Sequence, residues 1–310
     1  MRTWFQRALI FFAGIALGVV AISVLACLTS CKVGYGPLED HSAFASAQLA
    51  ADKRTIVFSF HHFAYRPAAG WRAFPDGGIP DYVTDISLLG VYDRQTRGVK
   101  IIRREKNIDW QPGNSLFTVL AINGSKALIS QGGQRRGEPF RMEVKHLLLD
   151  FTTGQVDVLN VKADLDKRGR ELGYIYLVDS AGTLVFVTLS QQEAKEFHSL
   201  NSSEYKNSGL VPEIWVRTAT GDYAKVAASA HYECARNGEV IYWEPATRDF
   251  MAFSIARRTT RKAPEYKSPG YVDVTEGVIL SSDKKALEFG VKVSGQWNYE
   301  RLDLKPNLLK

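Results

Sequence analysis

The sequence predicts an all-β fold: a β-propeller of about five four-stranded blades, with room for a sixth, set behind an N-terminal hydrophobic segment. Three observations predict it. From Thr55 onward, short apolar, β-branched and aromatic runs alternate with Gly, Asn, Asp and Ser clusters, the pattern of strands joined by hairpins. Helical periodicity is nearly absent, with one modest exception at Gln191 to Leu200. Two hairpin patterns recur in turn along the chain, which is the mark of a repeat architecture.

The N-terminus comes first. Arg2 and Arg7 precede an almost wholly apolar run from Ala8 to Leu28, and no acidic residue stands before Glu39. The run is long enough to cross a bilayer as a helix. Positive charge ahead of it keeps the N-terminus cytoplasmic and sends the body outward. The same pattern fits a signal peptide. Leu28-Thr29-Ser30-Cys31 resembles a bacterial lipobox, in which the cysteine is lipidated and becomes the new N-terminus. Val24-Leu25-Ala26-Cys27 is a poorer match because Leu25 is bulky. Three readings stand: lipidation at Cys31, an uncleaved anchor helix, or ordinary cleavage. Residues 1–31 are therefore a signal peptide or anchor. Residues 32–54 read as a tether, with a short helix from Ser42 to Ala51, and residues 55–310 as the propeller. The expected address is the bacterial cell envelope, membrane-anchored with the body in the periplasm.

The first repeated pattern is a turn, then a polar residue, then an apolar run. It reads INGSKALIS (122–130), DSAGTLVFV (179–187), ARNGEVIYW (235–243) and LSSDKKALEF (280–289). Asn-Gly in two copies predicts type I′ turns, whose two central residues need positive φ. The second is strand, D-x-x-T-G-like turn, strand. It reads LLGVYDRQTRGVKII (88–102), HLLLDFTTGQVDVL (146–159) and EIWVRTATGDYAKV (213–226), with weaker copies at 253–263 and 289–302. Alternation gives four strands per unit, at a spacing of roughly 40 to 65 residues, within or near the range of propeller blades. TIVFSFHHF (55–63) reads as the first hairpin of a degenerate opening unit. The competing architecture is a two-domain β-sandwich.

These alternating hairpins resemble the WD-like repeats of the TolB family of periplasmic propellers. The likeness covers Thr55 to Leu304 in outline. The proline of the family's first motif is missing in every copy, and the last two turns lack the Asp. The resemblance implies a propeller that binds a protein or ligand on one face, or acts as a hydrolase. It carries no functional residue over by position.

Composition and motifs narrow the function. The chain has 310 residues and a formal charge of +6, mildly basic, with no RNP, zinc-finger or basic-helix signature for nucleic acid. Three cysteines, Cys27, Cys31 and Cys234, make a poor disulfide framework. Cys234 reads as a buried, inert thiol, since His231 three residues earlier would point to the opposite face of a regular strand. His61 and His62 likewise face opposite ways, one inward and one outward. No HxH, HExxH or CxxC spacing marks a metal site. Asp76, Asp81 and Asp85 lie in a loop without the EF-hand pattern. Trp71, Trp110, Trp215, Trp243 and Trp297 read as packing residues. No G-x-S-x-G or P-loop occurs. No cofactor and no metal are expected.

Basic loops stand out: Arg103 and Arg104 with Lys106, Arg135 with Arg136, and Arg257, Arg258 and Arg261 with Lys262. Gathered on one face they would make an anionic docking surface. The sequence thus favours a non-enzymatic role: a membrane-tethered module presenting a propeller face to an envelope protein or an anionic envelope polymer. The alternative is a hydrolase acting on a carbohydrate or lactone at the propeller axis, which needs convergent acidic or histidine side chains there.

Overall fold

A computed structural model describes residues 34–69, 81–106, 116–134, 142–190, 192–194, 212–267 and 276–302. Cys27, Cys31, Asp76, Trp71, Trp110, Arg135 and Arg136 lie outside them. No helix among the described residues is long and apolar enough to cross a membrane.

The protein is an all-β propeller. Its first sheet has the order β2 (Glu39–Leu49), β3 (Thr55–Arg66), β5 (Asp81–Asp93), β6 (Gly98–Lys106). The second runs β7 (Phe117–Asn123), β8 (Lys126–Gln134), β9 (Met142–Asp150), β10 (Val156–Leu159). The third runs β11 (Arg170–Leu177), β12 (Leu184–Ser190), β13 (Glu213–Arg217), β14 (Tyr223–Ala227). The fourth runs β15 (His231–Arg236), β16 (Glu239–Glu244), β17 (Asp249–Ser254), β18 (Thr259–Lys262). The fifth has three described strands, β19 (Glu276–Leu280), β20 (Leu287–Val293) and β21 (Gln296–Leu302). Each sheet comes from one contiguous stretch of chain, so the described strands hold no exchange between the first and last sheets.

The chain divides into two units. The smaller holds residues 1–41 and 63–85. In it β1 (Gly34–Tyr35) pairs with β4 (Ala68–Ala69), and Gly36 N donates to Pro67 O at 2.7 Å. His41 stacks on Phe63 and Tyr65, and Tyr65 Oη donates to Glu39 at 2.8 Å. The larger unit holds residues 42–62 and 86–310.

In the larger unit, neighbouring sheets bury apolar side chains against one another. Val57 and Leu89 of the first sheet pack on Phe117, Ile129 and Leu147 of the second. Leu128 and Leu148 meet Leu177, Leu184 and Phe186 of the third. Val185, Ile214 and Val216 meet Val240, Tyr242 and Phe253 of the fourth. Phe44, Phe58 and Leu88 of the first meet Leu287, Phe289 and Leu302 of the fifth. A sheet apolar on both faces cannot stand alone, and stacking such units removes the exposed surface.

The hairpins fall where the repeats place them. Asn237 and Gly238 both have positive φ, 52° and 74°, between paired Arg236 and Glu239, as a type I′ turn requires. At INGSKALIS the register pairs Asn123 with Lys126, so the central residues are Gly124 and Ser125. Only Gly124 has positive φ, which is the type II′ condition rather than type I′. In the second pattern the Asp side chain organises the turn: Asp150 Oδ1 accepts from Thr152 N at 3.0 Å and Thr152 Oγ1 at 2.6 Å.

Four expectations are corrected. Residues 42–51 are not a helix in a tether: Glu39–Leu49 is a strand, so the first sheet begins before Thr55. The Ala-rich segment has helical propensity, but Phe44 is buried edge-on against Phe58 and Phe60, and tertiary packing overrides propensity. Thr55–Arg66 is one strand, not a hairpin. In the fifth sheet the two hairpins share β20, which leaves three strands among the described residues. A helix the periodicity did not announce, α1 (Val161–Asp166), buries Val161 and Leu165, four apart, between the second and third sheets.

Candidate binding cleft

The first strands of three consecutive sheets, β7, β11 and β15, line a cavity of about 720 Å³. Each of them carries a β-bulge. The register skips Leu120 between Val119 and Ala121, Gly173 between Leu172 and Tyr174, and Glu233 between Tyr232 and Cys234. A bulge adds one residue, bends the strand and redirects side chains, and bulges collect beside functional sites. Gly173 suits its place, because a Cβ there would stand 3.1 Å from the Val187 carbonyl oxygen. In the first sheet, Ser46 Oγ on β2 accepts from Val119 N at 2.8 Å, beside the bulge.

The lining is mainly aliphatic, with three tyrosines and a few polar groups. Tyr174 is 44% exposed and Leu120 39%, high for large apolar side chains on strands. Tyr176 and Tyr232 stack with ring centroids 4.4 Å apart. Burial raises the pKa of both, so both stay neutral phenols near pH 7. Asn123, Ser130, His146 and Glu233 complete the polar set. Burial lowers the pKa of His146, which favours the uncharged imidazole.

His146 also borders a smaller cavity of about 340 Å³, with Lys162, Asp166, Arg170 and Glu171. Beside it Arg170 pairs with Glu213 at 3.1 Å, and Lys225 with Glu213 at 2.7 Å. Burial alone would raise the pKa of Glu213. The hydrogen bonds from Lys225 and Trp215 and the Arg170 charge outweigh it and leave the carboxyl below its ordinary value.

The sequence-predicted residues fall elsewhere. Arg103 and Arg104 are on β6, the outer strand of the first sheet, where Arg103 donates to Glu105 at 2.7 Å. Arg257 and Arg258 occupy the exposed β17–β18 turn, with Arg258 at φ 55°. Arg261 on β18 is paired with Glu239 at 2.9 Å and Glu265 at 2.6 Å. None of these arginines lines the cleft. Among the described residues no group of three or more His, Cys, Asp or Glu side chains could hold a metal ion.

Cys234 lines the cleft and is half-buried, with Sγ 3.7 Å from the Tyr266 hydroxyl. The bulge removes the parity argument that separated it from His231. His231 pairs with Trp243 and Cys234 with Ile241, two apart on β16 and so on one face. His61 is buried, as one of the two adjacent histidines had to be, and His62 Nδ1 lies 2.9 Å from Ser42 Oγ. Trp215 packs at the junction of the second and third sheets. Trp297 does not pack inward: it is 37% exposed and stacked on Tyr299.

The cleft was missed because a bulge has no local signature beyond a glycine inside a strand. Gly173 was the available signal.

No protein-family model matches the chain, and no curated protein sequence matches it. Among solved structures it is similar to an oligogalacturonate lyase in complex with manganese, at 13% identity and a TM-score of 0.35, over 86% of this chain and 67% of that one. The β-propeller domain of the Trilobed protease from Pyrococcus furiosus matches at 10% identity and 0.31, over 85% and 82%. The tricorn protease matches at 7% identity and 0.33, over 82% and 29%. The chain spans about two thirds of the lyase. At these identities and TM-scores the likenesses carry no argument about this chain.

Proposed function

We propose that this chain is a lipoprotein-type binding module of the bacterial cell envelope. A TolB-like propeller is held at a membrane by a lipid on Cys31 or by the apolar segment before it, its body in the periplasm, and it engages a second envelope protein through the inner-strand cleft. The observation that carries this reading is the cleft itself: three bulged strands from three sheets converge on an open, tyrosine-lined cavity. Concave apolar surfaces with a few polar groups are the usual form of a binding site. An anionic polymer fits it less well, since Arg104, Arg257 and Arg258 stand exposed on the first and fourth sheets, away from the lining. The hydrolase reading has less support too. Glycoside hydrolysis uses two carboxylates flanking the bond, and among the described residues the lining supplies one, Glu233.

The test is cross-linking of the full-length protein in its native envelope, with and without the paired substitutions Leu120→Ser and Tyr174→Ser. One reproducible protein partner is expected, reduced at least tenfold by the substitutions while the melting temperature holds. If the tether is a lipid on Cys31, Cys31→Ser should release the protein from membranes or stall it there with its mass changed; unchanged mass and unchanged membrane association would assign the tether to the apolar segment instead. Undiminished capture by the cleft variant would overturn the reading. So would turnover of a substrate that Glu233→Gln abolishes.

A further inference from the structure

We infer that the connection at residues 35–38 of the small unit lies in the headgroup layer of a phospholipid bilayer; this rests on the tether proposed above and on no property of the cleft. Exposed apolar side chains carry the first half of the argument. Leu38 is 52% exposed and Tyr35 38%, and Pro37 between them is exposed as well. A single apolar side chain at a surface needs no explanation, but a contiguous group of them marks a face that meets another molecule.

The local backbone braces this group. Gly34 and Tyr35 of β1 pair with Ala69 and Ala68 of β4, and Gly36 N donates to Pro67 O at 2.7 Å. A Cβ at Gly36 would stand 2.9 Å from Pro67 Cγ, so the chain crosses the β3–β4 corner in close contact, which glycine permits. Pro37 and Leu38 thus stand on a seated turn. Just beyond it, Glu39 accepts from Tyr65 Oη at 2.8 Å and lies 3.3 Å from His41.

Chain length identifies the occupant. Each residue spans at most about 3.6 Å. Three steps separate Cys31 from Gly34, so a lipid on Cys31 holds β1 within about 11 Å of the headgroups. Six steps separate Leu28 from Gly34, or about 22 Å where the apolar segment is the anchor. A bilayer surface is thereby kept within reach of Leu38 at high effective concentration. Leucine suits the apolar side of that layer, and tyrosine, apolar along the ring and polar at the tip, suits its boundary. Glu39 and Asp40 follow Leu38 directly, so anionic lipid gains nothing here. The contact is apolar insertion by a tethered chain.

The test uses the full-length protein in phosphatidylcholine nanodiscs, with the fluorescent residue dansylalanine at one position. Leu38→dansylalanine is compared with Val158→dansylalanine on β10, a site of similar exposure. Lipid carrying a nitroxide at its headgroup should quench position 38 at least fivefold more strongly than position 158, and aqueous iodide should quench position 158 more. Replacing part of the phosphatidylcholine by phosphatidylglycerol should not strengthen the lipid quenching. Leu38→Ser, read from Pro37→dansylalanine, should at least halve it with the melting temperature unchanged.

Equal lipid quenching at the two positions, in protein that stays with the nanodisc, would overturn the inference and leave the tether standing. So would shielding of position 38 from both quenchers, which would mean that a second copy of the chain covers the patch. Protein that separates from the nanodisc on gel filtration would sink the tether reading and this inference with it.

Discussion

Two seams of the propeller solve the same packing problem differently. Between the first and second sheets, the buried face is apolar: Val57 and Leu89 against Phe117, Ile129 and Leu147, all fully buried. Its polar links are neutral hydroxyls, Ser46 accepting from Val119 N and Ser87 from Leu116 N at 2.9 Å. Between the fifth and first sheets an apolar layer is present too, but charged groups surround it. Arg94 lies 3.4 Å over the Phe289 ring, donates to Lys53 O at 2.7 Å and stands 3.7 Å from Glu300. Lys53 faces Glu276 at 3.1 Å, and Phe44 N donates to Lys284 O at 2.7 Å.

The difference has a physical reason. The first and second sheets are joined by a short connection, so the second is delivered to its place. The fifth and first sheets are separated by most of the chain, and no described strand is exchanged between them. Closing a long loop costs entropy, and apolar contact alone leaves the register free to slide. Directional polar contacts fix it. Such groups specify more than they stabilise: the Arg94 Nε–H is buried with no acceptor among the described residues, and an unmet donor of that kind costs free energy.

The largest effect should come from the apolar seam. Ile129→Ala is expected to lower stability by about 2–5 kcal/mol, the range for emptying a packed core position, measured by urea unfolding. A loss under about 1 kcal/mol would mean the first two sheets are held by something else. The closing seam should respond less. Arg94→Ala should cost about 1–3 kcal/mol, because it strips the Phe289 ring of its cover, removes the hydrogen bond to Lys53 O and leaves Glu300 with less compensation. Arg94→Met keeps most of the cover and removes the unmet donor, so its stability should stay within about 1 kcal/mol of the parent. If the methionine variant is as damaged as the alanine one, charge rather than cover holds the seam.

The smallest effect concerns the turns within sheets. Hydrogen bonds from Thr152 above all, with Thr153 N and Lys126, outweigh partial burial and hold the Asp150 carboxyl well below its ordinary pKa. A folded pKa below the unfolded one gives stability that is complete above the unfolded value, about 3.9, and is lost as pH falls toward the folded one. Asp150→Asn should therefore flatten the loss of stability on acidification below about pH 4. An unchanged acid profile would remove Asp150 from the account.

The alternation of hairpins, the Asp-organised turns and the Asn237-Gly238 turn were legible in the sequence. They are local: a side chain bonding its own backbone, or a glycine supplying positive φ, acts within four or five residues. Those local signals, repeated, pointed to an all-β propeller of about five sheets. The strand at Glu39–Leu49 was not legible, because its reason for being extended is Phe58 and Phe60 on another strand. The three bulges were hidden for the same cause, since a bulge is defined by the partner's register and not by its own residues. The cleft and the closing seam depend on side chains far apart in the chain, such as Tyr176 with Tyr232 or Arg94 with Phe289. Only tertiary structure decided those, because packing and electrostatics act through space, and one sequence read in order carries no distances.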